Sequence, residues 1–169
     1  DRATFDPSAV DLGSNFITYT FTNANGCRNF DTQEVFVNPV TTVDFGVQGA
    51  FVNVNGEFEL CANVGDVKLL GFPAPADGFP PETKFTSEGS NAAGMLIVNI
   101  GADYFIKTDG MVSDTYRIRY TFKNEFGGIT FKEKSIQIFA SPVALIASEN
   151  NCIKDAVEFE DISTINPTP

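Results

Sequence analysis

Between Ile17 and Thr22 the chain alternates strictly: Ile17, Tyr19 and Phe21 are apolar, and Thr18, Thr20 and Thr22 between them are polar. The same alternation returns at Ile118, Tyr120 and Phe122, interleaved with Arg119, Thr121 and Lys123. A period of two sends successive side chains to opposite faces, so each stretch reads as a strand with one face in a core and the other in solvent. The likeness is also one of sequence, since Ile17-Thr18-Tyr19-Thr20-Phe21-Thr22-Asn23-Ala24-Asn25-Gly26 recurs as Ile118-Arg119-Tyr120-Thr121-Phe122-Lys123-Asn124-Glu125-Phe126-Gly127. Subtracting 17 from 118 gives an offset of 101 residues. That is about the length of one sandwich domain of roughly 100 residues, and too long for a propeller blade or a leucine-rich unit.

The flanks keep this register with small drifts. Thr4-Phe5 matches Tyr104-Phe105 at 100, Val35 and Val37 match Ile136 and Ile138 at 101, and Pro39-Val40 matches Pro142-Val143 at 103. Each repeated strand runs into a turn rich in Asn and Gly, residues that tolerate positive φ, and then into a returning strand ending at 35–37 or 136–139. Shorter strands are expected at 42–46, 51–54, 58–61, 67–72, 83–86, 95–100 and 104–107, divided by Asn55-Gly56, Gly65-Asp66, the 73–81 Pro-rich stretch, 89–94 and Asp109-Gly110. No segment of ten residues carries helical periodicity. The fold class is therefore all-β, read as tandem immunoglobulin-like sandwiches: residues 1–40 as the C-terminal half of one domain, 41–142 as a complete domain, and 143–169 as the opening of another. The joins Asn38-Pro39-Val40-Thr41 and Ala140-Ser141-Pro142-Val143 carry proline, which biases them to stiff, extended links.

Composition narrows the chemistry. With 22 acidic and 11 basic residues the net charge is -11, a field that repels nucleic-acid phosphates and anionic membranes. No apolar run approaches the roughly 20 residues of a membrane-crossing helix. The 17 Phe and 4 Tyr supply core volume, while the absence of His removes the commonest general base and metal ligand. No Ser-His pair exists, so no catalytic residues and no cofactor are expected. Three scattered cysteines without His do not form a zinc site. For calcium the acidic candidates are Asp44, Asp103, Asp109, Asp114, Asp155, Glu158, Glu160 and Asp161, whose spacing is not specific enough to predict a site and least of all fits the EF-hand pattern. Phe72, Phe79, Phe85 and Phe126 are the aromatic candidates for a glycan surface, Phe126 standing in a turn where the first copy has Asn25. Tyr19 and Tyr120 occupy the place of a tyrosine corner, and Phe21 and Phe122 stand where antibody domains carry the second cysteine of the inter-sheet bridge. These four are read as structural residues that pin the sheets by aromatic packing.

The strings Phe5-Asp6-Pro7, Ile17 to Cys27 and Val35-Phe36-Val37-Asn38-Pro39 closely resemble the Ig-like repeats of giant surface and secreted proteins of Bacteroidota. Residues 58–122 look like a diverged copy, and Asn151-Cys152 followed by Ala156 to Ser163 is similar to the opening of a PKD-like domain. The resemblance implies tandem domains exported by the type IX secretion system and work as an adhesin or extracellular filament. It also implies that a Cys before the second strand pairs with the Cys of the hairpin. Here Gly128 stands where Cys27 stands in the first copy, so Cys61 lacks that partner and Cys27 and Cys152 would pair outside the segment. The expected function is thus a stiff, non-enzymatic stalk of an extracellular surface protein, its partners being neighbouring domains of the same chain, with lateral assembly into a homo-oligomeric filament and distal domains reaching a glycan or substratum. The alternative is a spacer or carbohydrate-binding module of a secreted hydrolase.

Overall fold

The computed structural model describes residues 3–75, 81–148 and 156–165. The chain divides into two compact units, Asp1–Thr41 and Thr42–Pro169. Segment 143–169, expected to open a third domain, groups with the second unit. The first unit holds a single-turn helix, Pro7–Ala9, capped by the Asp6 carboxylate, and a hairpin of β1 (Gly13–Thr22) and β2 (Arg28–Val37).

In the second unit, the strands in chain order are β3 (Asp44–Val47), β4 (Phe51–Val52), β5 (Phe58–Cys61), β6 (Asp66–Phe72), β7 (Lys84–Glu88), β8 (Leu96–Ile100), β9 (Asp103–Lys107), β10 (Asp114–Lys123) and β11 (Ile129–Phe139). They form a five-stranded sheet ordered β4-β5-β11-β10-β7 and a four-stranded sheet ordered β3-β6-β9-β8. Neighbouring strands are antiparallel except β5 and β11, which run parallel from Phe58↔Ile136 to Cys61↔Phe139. Two small antiparallel pairs follow, β12 (Pro142–Val143) with β15 (Thr164–Ile165) and β13 (Ile146–Ser148) with β14 (Phe159–Asp161).

The alternation read from the sequence decides which side chains meet. Ile118, Tyr120 and Phe122 point inward from β10, and with Ile136 and Ile138 of β11 they face Phe45 of β3, Leu69 of β6 and Ile106 of β9 across one core. Burying such a side chain stabilises by roughly 1.5–3 kcal/mol. The aromatics interlock within and across the sheets: the Phe85 ring stacks on its cross-strand neighbour Tyr120 at 4.4 Å and meets Phe45 of the facing sheet edge-on at 5.5 Å.

The repeat is carried into the backbone. All ten pairs of the first hairpin, Gly13↔Val37 to Thr22↔Arg28, recur with 101 added to each member as Asp114↔Ile138 to Lys123↔Ile129. One turn design closes both. Asn23 donates its amide to the Cys27 carbonyl at 2.9 Å and accepts the Gly26 amide at 3.0 Å, and Asn124 does the same with Gly128 and Gly127 at the same distances. Asn53 repeats the design a third time between β4 and β5, with Glu57 and Gly56. In each turn the Asn side-chain oxygen accepts the amides two and four residues on. The turn asparagines themselves keep negative φ; positive φ falls on Gly26, Gly56 and Gly127, at +82°, +78° and +84°. In these three turns asparagine is there to accept hydrogen bonds, and the left-handed conformation is taken by the glycine.

Candidate functional site

The centre of the second unit is built around Tyr120. Its ring is fully buried and its hydroxyl donates to the Pro73 carbonyl at 2.6 Å. The ring lies so close to Gly71 on β6 that a Cβ there would stand 2.6 Å from Tyr120 Cζ, closer than any methyl can approach. Glycine at 71 is thus what lets the facing sheet settle onto the tyrosine. Burial, with a smaller contribution from Tyr104, pushes the Tyr120 hydroxyl up to about 12. Phe122 packs beside it with ring centroids 6.5 Å apart.

The sequence placed a tyrosine corner at Tyr120, and the geometry differs. Tyr120 is the seventh residue of β10, and its hydroxyl reaches back 47 residues to the opposite side of the sandwich. The local bond that defines a corner is made by Tyr116, whose hydroxyl donates to the Val112 carbonyl at 3.2 Å. Sequence reasoning passed over Tyr116. Its signal was available, because it stands on the same face of the strand as Ile118 and Tyr120 and nearer the entrance. In the first unit, Tyr19 and Phe21 are 67% and 57% exposed, since among the described residues of that unit no strand covers the face that β3, β6 and β9 cover in the second.

The acidic candidates are dispersed. Asp44 binds Lys134 Nζ at 2.8 Å, and that hydrogen bond holds its carboxyl below the ordinary value. Lys134 also donates to the Phe45 carbonyl at 2.6 Å and sits 5.2 Å from the ring centres of both Phe45 and Phe58. It is an inward-facing cation that ties β11 to β3. Asp103 pairs with Lys68 at 2.7 Å. Asp114 accepts from Asn91, and Asp161 from Ser163, each carboxyl being lowered by those bonds. Asp109, Glu158 and Glu160 are exposed, and Asp155 lies outside the described residues. Among the described residues no three His, Cys, Asp or Glu side chains gather as a metal site would require.

Of the four aromatics proposed for a glycan surface, Phe85 is overturned: it is buried in the core against Phe45, Tyr104 and Tyr120. Its strand pairs with β10 so that Phe85 stands opposite Tyr120, which fixes it inward. Phe72 and Phe126 are exposed, and Phe79 lies outside the described residues. Cys27 and Cys61 are exposed free thiols, and Cys152 lies outside the described residues.

The outer face of the five-stranded sheet carries a charge ladder. Arg119 contacts Glu133 at 2.6 Å and Glu88 at 3.7 Å, with its guanidinium 4.7 Å from the Phe131 ring centre. No helix among the described residues is long and apolar enough to cross a membrane. Compared with protein-family models, with curated proteins and with solved structures, the chain finds no match.

Proposed function

We propose that the chain is a stalk segment of immunoglobulin-like sandwiches within a long, exported, non-enzymatic surface protein of the Bacteroidota adhesin or filament type, and that its work is mechanical. Strand order supports the fold assignment. Read as A, B, E and D, the sheet β3-β6-β9-β8 has the order of one immunoglobulin sheet, and β11-β10-β7 has the G-F-C order of the other, with β5 added beside G. The hairpin of the first unit then corresponds to strands F and G of a second such domain, in the register of β10 and β11.

The observation that carries the mechanical reading is the parallel pairing of β5 with β11. The chain enters the sandwich at Asp44, beside Lys134, and leaves past Phe139, whose carbonyl accepts the Ala62 amide at 2.8 Å. Tension between entry and exit draws β5 and β11 along each other, so the ladder bonds from Phe58 to Cys61 carry load together in shear. A hairpin pulled at its turn opens one bond at a time. The Lys134–Asp44 pair adds a second tie between the first and last strands.

The test is single-molecule extension of residues 1–169. With handles at the two ends, the sandwich is expected to open in one step that lengthens the chain by about 300 Å, from 96 residues (44 to 139) at roughly 3.3–3.6 Å each less the folded span. Its unfolding force is expected to exceed that measured with handles at Lys123 and Ile129, which peel β10 from β11. Equal forces in the two geometries would overturn the mechanical reading.

A further inference from the structure

Of the four edges of the two sandwich sheets, three carry a device that discourages pairing with another chain. β3 has four residues and begins on Asp44, β4 has only two residues, and β7 is bracketed by Lys84 and Glu88. β8, the remaining edge, has none of these. It is five residues long, Leu96-Ile97-Val98-Asn99-Ile100, without proline or charge, and the chain carries no charged residue from Gly89 to Ala102. Natural edge strands of this kind are normally blunted by Lys, Pro, a bulge or a cover. Among the described residues, no strand pairs with its outer side.

The face beside this edge is apolar as well. Leu96 and Ile100 are 60% and 64% exposed on the outer side of the sheet, with Val98 between them and Phe105 of β9 opposite Val98. Lys107 and Asp66, 2.5 Å apart, close one end of this row, and Lys68 and Asp103, 2.7 Å apart, the other. Four charges cancel in two pairs. In a chain of net charge -11, two copies brought together repel over most of their surface. This face adds no like charge when it meets itself.

We infer that β8 is a docking edge for β8 of a second copy, paired antiparallel about a two-fold axis through Val98. Leu96 then faces Ile100 of the other copy, Val98 faces Val98, and the two four-stranded sheets join into one of eight strands. The interaction is self-complementary, as a two-fold interface must be. A contact of five residues per copy buries less than the roughly 1,200 Å² of a standard interface, so separate chains associate weakly. Copies held side by side in arrays gain affinity through effective concentration. The inference stands on the second unit alone and does not depend on the mechanical reading.

Register makes it testable. In chains whose Cys27, Cys61 and Cys152 are replaced by Ser, Val98→Cys is expected to oxidise to a covalent dimer roughly tenfold faster than Leu96→Cys or Ile100→Cys alone. Opposed residues have Cβ atoms about 4.5–5.5 Å apart, whereas the two copies of residue 96 would lie about 13 Å apart along the strands. An equal mixture of Leu96→Cys and Ile100→Cys chains is expected to cross-link to each other. Equal rates at all three positions would mean that copies meet without this register, and that overturns the inference. In parallel, Val98→Lys is expected to raise the dimer Kd in sedimentation equilibrium by roughly tenfold or more, by placing two cations at the axis. An unchanged Kd, or a parent chain that stays monomeric at millimolar concentration, also overturns it.

Discussion

Replacing Tyr120 with Phe leaves the ring and its stacking on Phe85 in place and removes one atom, the hydroxyl that donates to the Pro73 carbonyl at 2.6 Å. Pro73 is exposed, so water can reach the vacated carbonyl. The cost is therefore that of an ordinary hydrogen bond, about 0.5–1.5 kcal/mol, and not the larger penalty of an orphaned buried group. For a sandwich of this size, about 1 kcal/mol lowers the melting temperature by about 4–8 °C. The urea midpoint falls with an unchanged slope, because the surface exposed on unfolding is the same. A second signature appears at alkaline pH. Burial pushes the Tyr120 hydroxyl up to about 12, against about 10 in an unfolded chain. The unfolded state loses this proton first, so the stability linked to it is fully present below pH 10 and disappears as pH rises towards 12. One such group tilts stability by at most about 1.4 kcal/mol per pH unit. Tyr104 and Tyr116, whose hydroxyls burial also raises, remain in the variant. The variant should thus be less stable at pH 7 and fall less steeply between pH 10 and 12. Urea titrations of both chains at pH 7, 10 and 11.5 decide it. A variant with the parent's midpoint at pH 7 and the parent's alkaline slope would refute this account of the core.

Two further outcomes are expected. The buried Thr108 hydroxyl donates to the Gly65 carbonyl at 2.7 Å and accepts the Val64 amide at 3.0 Å, so Thr108→Val, equal in shape, should cost about 1–3 kcal/mol in a thermal melt; an unchanged melt would mean that water replaces the hydroxyl. Lys134 lowers the Asp44 carboxyl, so their pair contributes above the ordinary carboxylate range and is lost as pH falls through the native value below about 4. Lys134→Met should lower stability at pH 7 by about 1 kcal/mol or less, Asp44 being more than half exposed, and should flatten the acid limb of the stability curve. An acid limb as steep as the parent's, followed by urea midpoints from pH 7 to 3, would count against the pair.

Most strands could be read from the sequence because their rule is local. The alternation at 17–22 and 118–123, with an Asn-x-x-Gly turn behind each, fixes a hairpin and its register without reference to anything distant. Residues whose role depends on a non-local partner were harder. Phe85 sits in Lys84-Phe85-Thr86-Ser87-Glu88, where a single strong apolar residue gives no usable period, and only the pairing with β10 turns it inward. Lys134 occupies an inward position opposite Ile118, where a core rule expects an apolar residue. It is accommodated because Asp44 and two aromatic faces receive its charge, and those lie 76 to 90 residues earlier in the chain. The destination of the Tyr120 hydroxyl was hidden for the same reason.

The two hairpins also show where divergence is cheap. Ile118, Tyr120 and Phe122, which point inward in the second hairpin, match in kind the residues at the same register in the first, Ile17, Tyr19 and Phe21; in the second unit these positions lie in a close-packed interior that registers changes as small as one methylene. The outward residues of the two hairpins match less well, although the pair Thr20–Phe30 returns as Thr121–Phe131. Thr18 and Thr32 share a hydroxyl contact of 3.0 Å where the second copy has Arg119 and Glu133, and Phe16 stands in place of Arg117. An exposed ion pair contributes about 0–1 kcal/mol, so exchanging it for two hydroxyls barely alters the fold. Outer faces and edges are therefore where one sandwich can acquire a property that another lacks without loss of stability. That cost difference is why an uncharged, unblunted strand such as β8 is informative: nothing in the core requires Leu96 and Ile100 to face outward, and solubility alone would favour a lysine at either position.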